Sequence, residues 1–395
     1  MGNQILHTPD GVRDIYNGEC KRKLKLQEKL HDVLIKYGFC DIQTPTFEFF
    51  DVFDKQVGTT SSKNLYKFID KEGNTLVLRP DFTPSIARCV AKYYSDETLP
   101  VKICYMGNTF TNSSAYQGRL KETTQCGAEN LGDSSTFADA EMLALAVESL
   151  KTAGLNEFQI SVGHASYYDG LVQESKLEIR QEEELKNLIT NKNFLGVEEF
   201  VDNLEIDDDL KKLYEGLGVF NISIEQLENL EKYAQKYKKV KEAIVRLKEL
   251  YKIIKLFKVE QYISFELGII SEHKYYTGVI FQGYTYGTGE PIIKGGRYDK
   301  LVSYFGKKSP AIGFAIVVDQ VMSALDRQKK TIEEGYTTKL LVFSKNKTEE
   351  AVKKAMELRS RGENIQTVME LDKKTVEEYE KYAKTMDISE IIYIR

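Results

Sequence analysis

Apolar residues in the first part of the chain change repeatedly between a helical spacing and the short runs typical of strands. Between positions 20 and 37, leucine and valine recur three and four residues apart, which predicts an amphipathic helix that ends at Gly38. A second helix is predicted over residues 134–153. Short apolar or β-branched runs between turn-forming residues predict strands at 41–45, 75–78, 101–106, 121–131 and 158–162. The pattern favours a mixed α+β domain.

A long stretch from about 171 to 258 is dense in glutamate, lysine and leucine and contains no proline. From Leu230 to Ile254 its apolar residues recur in gaps of three and four, which predicts one long helix. We interpret the stretch as a helical insertion that packs on its own domain, with a dimerising coiled coil as the alternative. Strand character resumes at Tyr262.

The last part of the chain follows a polar boundary at residues 329–338. Beyond it the pattern reads strand, helix, strand, helix, strand, at 339–343, 348–361, 365–370, 375–386 and 388–394. Parallel neighbouring strands need helical crossovers, so this order predicts a small parallel sheet. We therefore expect two domains, a core at 1–330 and a small α/β domain at 338–395.

Composition and charge narrow the possible functions. Apolar residues make up 42% of the chain, which is enough for a chain of this length to bury a core. Because 60 acidic residues outnumber 55 basic ones, no domain-wide basic surface for nucleic acid is expected. The five cysteines are never at C-x-x-C spacing, which predicts reduced thiols and no metal site. No apolar run is long enough to span a membrane, and we expect a cytoplasmic protein. Asp139 and Glu141, two apart on a predicted helix, are expected to be solvated.

Several segments, spread in order over most of the first 325 residues, resemble the histidyl-tRNA synthetases, which are class II aminoacyl-tRNA synthetases. The helix that ends near Gly38, followed by Thr44-Pro45, is similar to motif 1, the homodimer segment of these enzymes. The other matching segments are Thr8-Pro9-Asp10-Gly11-Val12-Arg13-Asp14, Leu78-Arg79-Pro80-Asp81-Phe82-Thr83, Tyr275-Tyr276-Thr277-Gly278 and Gly295-Gly296-Arg297-Tyr298-Asp299. The resemblance implies the class II fold, an antiparallel sheet flanked by helices.

The same resemblance implies a histidine-like pocket. Its residues would be Asp81, Thr83, Gln125, Glu129, Tyr275 and Tyr276. A carboxylate and a hydroxyl are suitable acceptors for an ammonium group. Two alternatives stay open: these side chains form a buried polar network that satisfies itself, or the pocket remains but no longer binds histidine.

Three positions depart from the synthetase pattern where adenylation needs arginines around the α-phosphate of ATP. They hold Thr111, Ser271 and Gln320. Loss of one preorganised donor costs roughly 10²–10³ in rate, so loss of three predicts no amino-acid activation. Arg119 and Lys121 remain in the adjoining loop as a candidate residual anion site. No cofactor is predicted.

A synthetase-like core without these arginines, followed by a C-terminal domain of three strands where the synthetases have five, resembles the regulatory subunits of ATP phosphoribosyltransferase. That resemblance implies a chain with no catalysis of its own, which forms a homodimer within a hetero-oligomer. Its partner would be the short-form catalytic subunit of the first step of histidine biosynthesis, for which it provides activity and feedback inhibition by histidine. Neither tRNA nor membrane is an expected partner. The alternatives are a divergent histidyl-tRNA synthetase with relocated cations and a synthetase-like module that senses uncharged tRNA.

Overall fold

The computed structural model describes residues 6–53, 60–112, 119–270, 275–332, 335–371 and 374–395. Contacts between Cα atoms divide it into two compact units. The first consists of Lys29–Lys330 together with the residues up to Val12, and the second of Arg13–Glu28 together with Thr331–Arg395. None of the described helices is both long and apolar enough to cross a membrane.

Eleven strands lie within the described part of the first unit. They are β1 (Cys40–Asp41), β2 (Phe47–Phe49), β3 (Lys67–Ile69), β4 (Thr75–Leu78), β5 (Val101–Phe110), β6 (Glu122–Leu131), β7 (Phe158–His164), β8 (Ile263–Phe265), β9 (Val279–Thr285), β10 (Ile293–Arg297) and β11 (Ala311–Val317). Eight of them form one sheet in the order β1-β5-β6-β11-β10-β9-β7-β8, and β2-β4-β3 form a small antiparallel sheet. Within the large sheet every pairing is antiparallel except β1 with β5 and β7 with β8.

The first ten helices run from near the N-terminus to the end of the first unit. They are α1 (Asn17–Lys36), α2 (Thr83–Tyr93), α3 (Thr136–Thr152), α4 (Ala165–Glu174), α5 (Ile179–Thr190), α6 (Phe194–Asp202), α7 (Asp208–Glu215), α8 (Ile224–Tyr233), α9 (Lys238–Phe257) and α10 (Val318–Arg327). Helix α2 packs on one face of the large sheet, where its Ile86 and Val90 join Ile103 of β5 in a buried cluster. Helices α4 to α9 lie between β7 and β8 in the chain, so the predicted helical insertion is confirmed.

The prediction of a single helix from Leu230 onward is wrong. Helix α8 ends at Tyr233, a 3₁₀ turn occupies Ala234–Lys236, and α9 starts only at Lys238. The Tyr237 hydroxyl donates hydrogen bonds to the Asp207 carboxylate where the two helices meet. The three–four spacing of apolar residues continues across the turn because both helices bury the corresponding face. Sequence spacing alone therefore does not reveal the break.

The second unit contains the predicted alternation of strands and helices. Its elements are β12 (Thr338–Phe343), α11 (Thr348–Ser360), β13 (Asn364–Met369), α12 (Val376–Thr385) and β14 (Ile388–Ile394). The three strands are parallel in the order β13-β12-β14. Leu341 of β12 packs with α11 and Leu340 packs with α12, so one helix covers each face. The predicted α+β class, with a small α/β unit at the C-terminal end, is confirmed.

The first part of α1 belongs to this second unit, which the sequence did not predict. Lys21 is buried, and its Nζ donates to Asp387 Oδ2 at 2.7 Å. Asn17 donates to the Thr385 carbonyl at 2.9 Å. A helix from the start of the chain therefore completes the unit formed by the end of the chain.

Candidate functional site

Glu129 lies on β6, on the face of the large sheet that α2 covers, and only 1% of the residue is exposed. The Thr83 hydroxyl donates to its Oε1 at 2.8 Å, and the Tyr298 hydroxyl donates to its Oε2 at 2.5 Å. Burial, opposed only in part by these two hydrogen bonds, raises the pKa of Glu129 to about 8. The carboxyl group is therefore mostly protonated at neutral pH, which lowers the cost of keeping it inside the protein.

Glycine on the neighbouring strand makes space for this carboxyl group. Gly313 of β11 is the direct register partner of Glu129, and a Cβ atom added there would lie 1.5 Å from Glu129 Oε2. No side chain can occupy that position unless Glu129 moves. The glycine of β11 thus allows a buried acid to lie against the sheet.

Asp81 and Thr83 are positioned by the loop that leads into α2. Thr83 is the first residue of α2, and its backbone N–H donates to Asp81 Oδ1 at 3.3 Å. The second carboxylate oxygen of Asp81 is buried and has no hydrogen-bond partner among the described residues. Asp81 therefore presents an unused acceptor beside the Thr83–Glu129 pair.

Three tyrosines surround these acidic groups. The rings of Tyr275 and Tyr276 are 4.6 Å apart between centroids, and the ring of Tyr298 lies edge-on to Tyr275 at 5.8 Å. Burial, reinforced by the nearby carboxyl group of Glu129, raises the pKa of each tyrosine, and the Asp81 carboxyl group adds to this effect on Tyr275 and Tyr276. The three phenols stay neutral and can act as hydrogen-bond donors or acceptors.

Gln125 and Glu129 lie on the same face of β6, separated by Gly127. Tyr105 of β5 is the register partner of Gly127, and its hydroxyl lies 2.3 Å from where a Gly127 Cβ would be. The Tyr105 hydroxyl and Gln125 Oε1 are both buried and without partners among the described residues. A row of polar groups therefore runs along β5 and β6, and two of them, the Tyr105 hydroxyl and Gln125 Oε1, have no hydrogen-bond partner among the described residues.

The structure thus brings together Asp81, Thr83, Glu129, Tyr275 and Tyr276, and it places Gln125 on the same face without a hydrogen bond to them. It adds Tyr105 and Tyr298, which the sequence-based pocket did not include. Tyr298 was present in the quoted Gly-Gly-Arg-Tyr-Asp segment, so a signal for it existed. We call these eight residues the polar pocket.

Two of the three positions expected to have lost phosphate-binding arginines, Thr111 and Gln320, lie near the ends of β5 and β11. Thr111 directly follows β5, and its backbone N–H donates to the Lys121 carbonyl at 2.8 Å. Gln320 lies in the first turn of α10, and Ser271 is outside the described residues. Arg119 of the candidate anion site forms an ion pair with Glu290 at 2.7 Å. That pairing reduces the positive charge available to an anion at this loop.

Arg79 lies on the pocket side of the sheet, but its guanidinium is used structurally. It donates to the carbonyls of Asn108 at 2.8 Å and Thr44 at 2.9 Å, and it stacks over the Phe82 ring at 4.0 Å. These contacts tie the motif 1-like segment to β5. These contacts explain why the loop contains an arginine, and no bound ligand is needed to explain it.

Asp139 is not solvated, which corrects the expectation from its helix position. It is fully buried on α3, between Arg297 of β10, at 2.6 Å, and Arg246 of α9, at 2.7 Å. Glu141 is likewise engaged, with Lys102 at 2.7 Å. We call Arg246, Asp139 and Arg297 the ion triad. It joins the helical insertion to the strand that leads into Tyr298.

Comparison with known proteins identifies the class of fold to which the core belongs. A family model described as histidyl-tRNA synthetase matches residues 11–321. A histidyl-tRNA synthetase from Nostoc sp. shares the fold with a TM-score of 0.78 at 21% identity, over 97% of this chain and 90% of its own. The core therefore has the class II histidyl-tRNA synthetase fold, as predicted.

Closer similarity points to one branch of that class. An ATP phosphoribosyltransferase regulatory subunit from Acetivibrio thermocellus is 38% identical over 92% of this chain and 86% of its own length. A Bacillus halodurans structure described as an ATP phosphoribosyltransferase regulatory subunit/histidyl-tRNA synthetase has a TM-score of 0.86 at 30% identity, over 99% and 98% of the two chains. The chain belongs to the family of ATP phosphoribosyltransferase regulatory subunits.

Proposed function

We propose that this chain is a regulatory subunit without catalysis of its own, which activates a short-form ATP phosphoribosyltransferase catalytic subunit and makes it sensitive to histidine. The observation that carries the proposal is the contrast between the two halves of the ancestral site. The polar pocket retains its acidic and phenolic groups, whereas Thr111 and Gln320 occupy positions where a synthetase has guanidinium groups. A hydroxyl and an amide supply no fixed charge for a developing phosphate anion.

The proposal includes the assembly and the location. We expect a homodimer that uses the motif 1-like segment, within a hetero-oligomer in the cytoplasm. The division into domains at 1–330 and 338–395 stays a prediction.

The test is a reconstituted assay of PRPP and ATP consumption by the short catalytic subunit, with and without this chain. We expect activity to rise when the chain is added, and to fall again when histidine is then supplied. The control is the chain alone, which should turn over neither substrate. If a tenfold excess of this chain does not stimulate the catalytic subunit, the regulatory role is contradicted.

For the ligand of the polar pocket, we propose histidine or a close analogue. Asp81 Oδ2 and Gln125 Oε1 are buried acceptors in need of donors, and an ammonium group and an imidazole N–H are donors of suitable charge and size. Each unsatisfied buried acceptor costs about 1–3 kcal/mol, so a ligand that satisfies both removes a standing penalty. Ser271, in place of the expected arginine, leaves the ligand carboxylate without that cation.

Calorimetric titration with histidine tests whether the polar pocket binds histidine and which groups of the ligand it contacts. We expect D81N to weaken binding at least tenfold, because the ammonium then meets an amide in place of a carboxylate. The matched control is D96N, an exposed aspartate just beyond α2, which should bind as the unaltered chain does. Histidinol, which lacks the carboxylate, should bind within about tenfold of histidine if Ser271 has removed the carboxylate contact. Equal affinity of D81N and D96N would exclude the pocket as the histidine site.

The alternative enzyme, a divergent histidyl-tRNA synthetase, predicts histidine-dependent exchange of pyrophosphate into ATP by the chain alone. The tRNA-sensing alternative predicts tRNA binding that weakens steeply with salt. We expect neither. Either result would replace the regulatory proposal.

A further inference from the structure

A histidine, an aspartate and a cysteine converge at the β1 edge of the large sheet. His31 Nε2 lies 2.7 Å from Asp41 Oδ1, and Cys104 Sγ lies 3.6 Å from the same oxygen. The three donor atoms all fall within 4.8 Å of one another. Side chains alternate along a strand, so Cys104 points to the face of β5 opposite Tyr105 and the polar pocket.

Three separate elements hold these donors in place. Asp41 and Cys104 are direct register partners in the parallel pairing of β1 with β5. His31 comes from the last part of α1, which turns into β1 through Gly38, a glycine with φ of +80°. The Cys104 thiol is buried, whereas the side chains of His31 and Asp41 are 38% and 61% exposed. The cluster therefore has a fixed inner donor and an open outer side through which a hydrated ion can enter.

The donor set suits zinc or a similar divalent transition metal. Zinc binds cysteine sulfur at about 2.3 Å, histidine nitrogen at about 2.0–2.1 Å and carboxylate oxygen at about 2.0–2.2 Å, in tetrahedral geometry. Those bond lengths give a sulfur–oxygen separation of about 3.6 Å and a nitrogen–oxygen separation of about 3.4 Å. The observed sulfur–oxygen distance already agrees. The nitrogen–oxygen distance needs to open by about 0.7 Å as a metal ion replaces the proton that the two atoms share.

We propose that His31, Asp41 and Cys104 form a zinc-type metal site, with the fourth position left to water. The Cys104 thiol loses its proton to solvent as the sulfur–metal bond forms. The proton that His31 Nε2 shares with Asp41 leaves by exchange with solvent, and the ring then carries its proton on Nδ1, so Nε2 supplies its lone pair to the metal. Asp41 supplies a carboxylate oxygen, so the two negative ligands balance the charge of a divalent ion.

Cysteine spacing predicted no metal site, and the reason is geometric. A zinc motif is readable in a sequence when two ligands come from one turn or one helix. Here the ligands lie 10 and 63 residues apart in the chain and meet only through sheet pairing. Such a site leaves no local signature.

Cobalt titration of the metal-free, full-length chain tests the proposal. A Co²⁺ ion bound by a thiolate gives a ligand-to-metal charge-transfer band in the near ultraviolet, and tetrahedral coordination gives intense visible bands. We expect both at one Co²⁺ per chain, and we expect their loss when Zn²⁺ is added as a competitor. The C104S variant should lack the charge-transfer band, whereas C40S, which removes the exposed neighbouring thiol, should retain it.

A second variant keeps the test decisive if C104S fails to fold. H31Q alters a partly exposed side chain and removes a direct ligand. Loss of an outer-shell partner of a ligand weakens metal binding by about 10–100-fold, so we expect H31Q to weaken Co²⁺ binding at least as much. Absence of the charge-transfer band in the unaltered chain, or unchanged affinity in H31Q, would show that the cluster is only a hydrogen bond that tethers α1 to β1. A band lost in C40S but kept in C104S would assign the metal to the exposed thiol and overturn the proposal.

Discussion

Glu129 shows how a single residue connects burial with pH. The unfolded chain gives a glutamate its ordinary pKa of about 4.3, whereas burial raises the pKa of Glu129 in the folded protein to about 8. Between these two values the folded state binds more protons than the unfolded state. Stability is therefore greatest at the acidic end of this range and falls as the pH rises toward 8.

We expect E129Q to remove most of this pH dependence, because an amide of the same size does not titrate. The unaltered chain should lose up to about 1.4 kcal/mol per pH unit from this one group between pH 5 and 8. Urea unfolding at several pH values measures the slope. E72Q, which alters an exposed glutamate, is the control and should keep the slope of the unaltered chain. The same slope in E129Q and E72Q would refute a neutral, buried Glu129.

The glycine opposite Glu129 gives a second prediction at this scale. G313A would place a methyl group 1.5 Å from the Glu129 carboxylate, and we expect a loss of about 3 kcal/mol or more in the free energy of unfolding. G289A is the matched control, since a Cβ there meets nothing within 4 Å. Chemical denaturation of both variants checks the difference. Equal stability would mean that Glu129 moves away without cost.

The residues of the pocket differ in how readily a sequence reveals them. Asp81 and Thr83 are close together in one distinctive loop, so the resemblance was enough to predict that they belong to one site. Tyr105 was missed because its role depends on the register that places it opposite Gly127. Asp139 was misread because its partners Arg246 and Arg297 are 107 and 158 residues away in the chain. Local pattern carries no information about such pairings.

Among the elements, α3, α9 and β10 are joined by the ion triad. Asp139 is the only carboxylate that bridges Arg246 and Arg297 among the described ion pairs, and it is fully buried. Breaking a buried pair leaves charges without compensation, which costs far more than losing an exposed pair. The triad therefore fixes the insertion helix α9 to the core.

We expect D139N to lower the free energy of unfolding by about 3–5 kcal/mol, because the buried Arg297 and the partly buried Arg246 then lose the carboxylate that they share. The control is E349Q on α11, which breaks an exposed ion pair with Lys353 and should leave stability unchanged. Equilibrium unfolding in denaturant distinguishes the two. A loss in D139N no larger than in E349Q would show that the triad adds nothing to the docking of α9.

At the scale of the whole molecule, the second unit is built from both ends of the described chain. Lys21 and Asn17 of α1 bond to Asp387, which immediately precedes β14, and to Thr385, the last residue of α12. The sequence predicted the α/β tail correctly from its alternating pattern. It did not predict the helix from the other end, since an amphipathic helix does not specify which surface it covers.

We expect a chain cut at a protease site placed after Lys330 to keep its two fragments together, because residues 13–28 and 331–395 form one compact unit. Size-exclusion chromatography after cleavage measures this. K21M should let the fragments separate at a lower denaturant concentration, since it removes the buried ammonium that bonds Asp387. K238M, on an exposed lysine of α9, is the control. Immediate separation of the fragments without denaturant would contradict the shared unit.

The contact between Lys21 and Asp387 also has a consequence during synthesis. The two residues are 366 positions apart, and ribosomes add roughly 5–20 residues per second. Roughly 20–70 s therefore pass between the synthesis of Lys21 and the synthesis of Asp387. Throughout that delay the nascent helix presents Leu26 and Lys21, both buried in the finished protein, to the surrounding medium. The growing polypeptide is therefore exposed for an extended time at α1, which gives a molecular chaperone an extended opportunity to bind there.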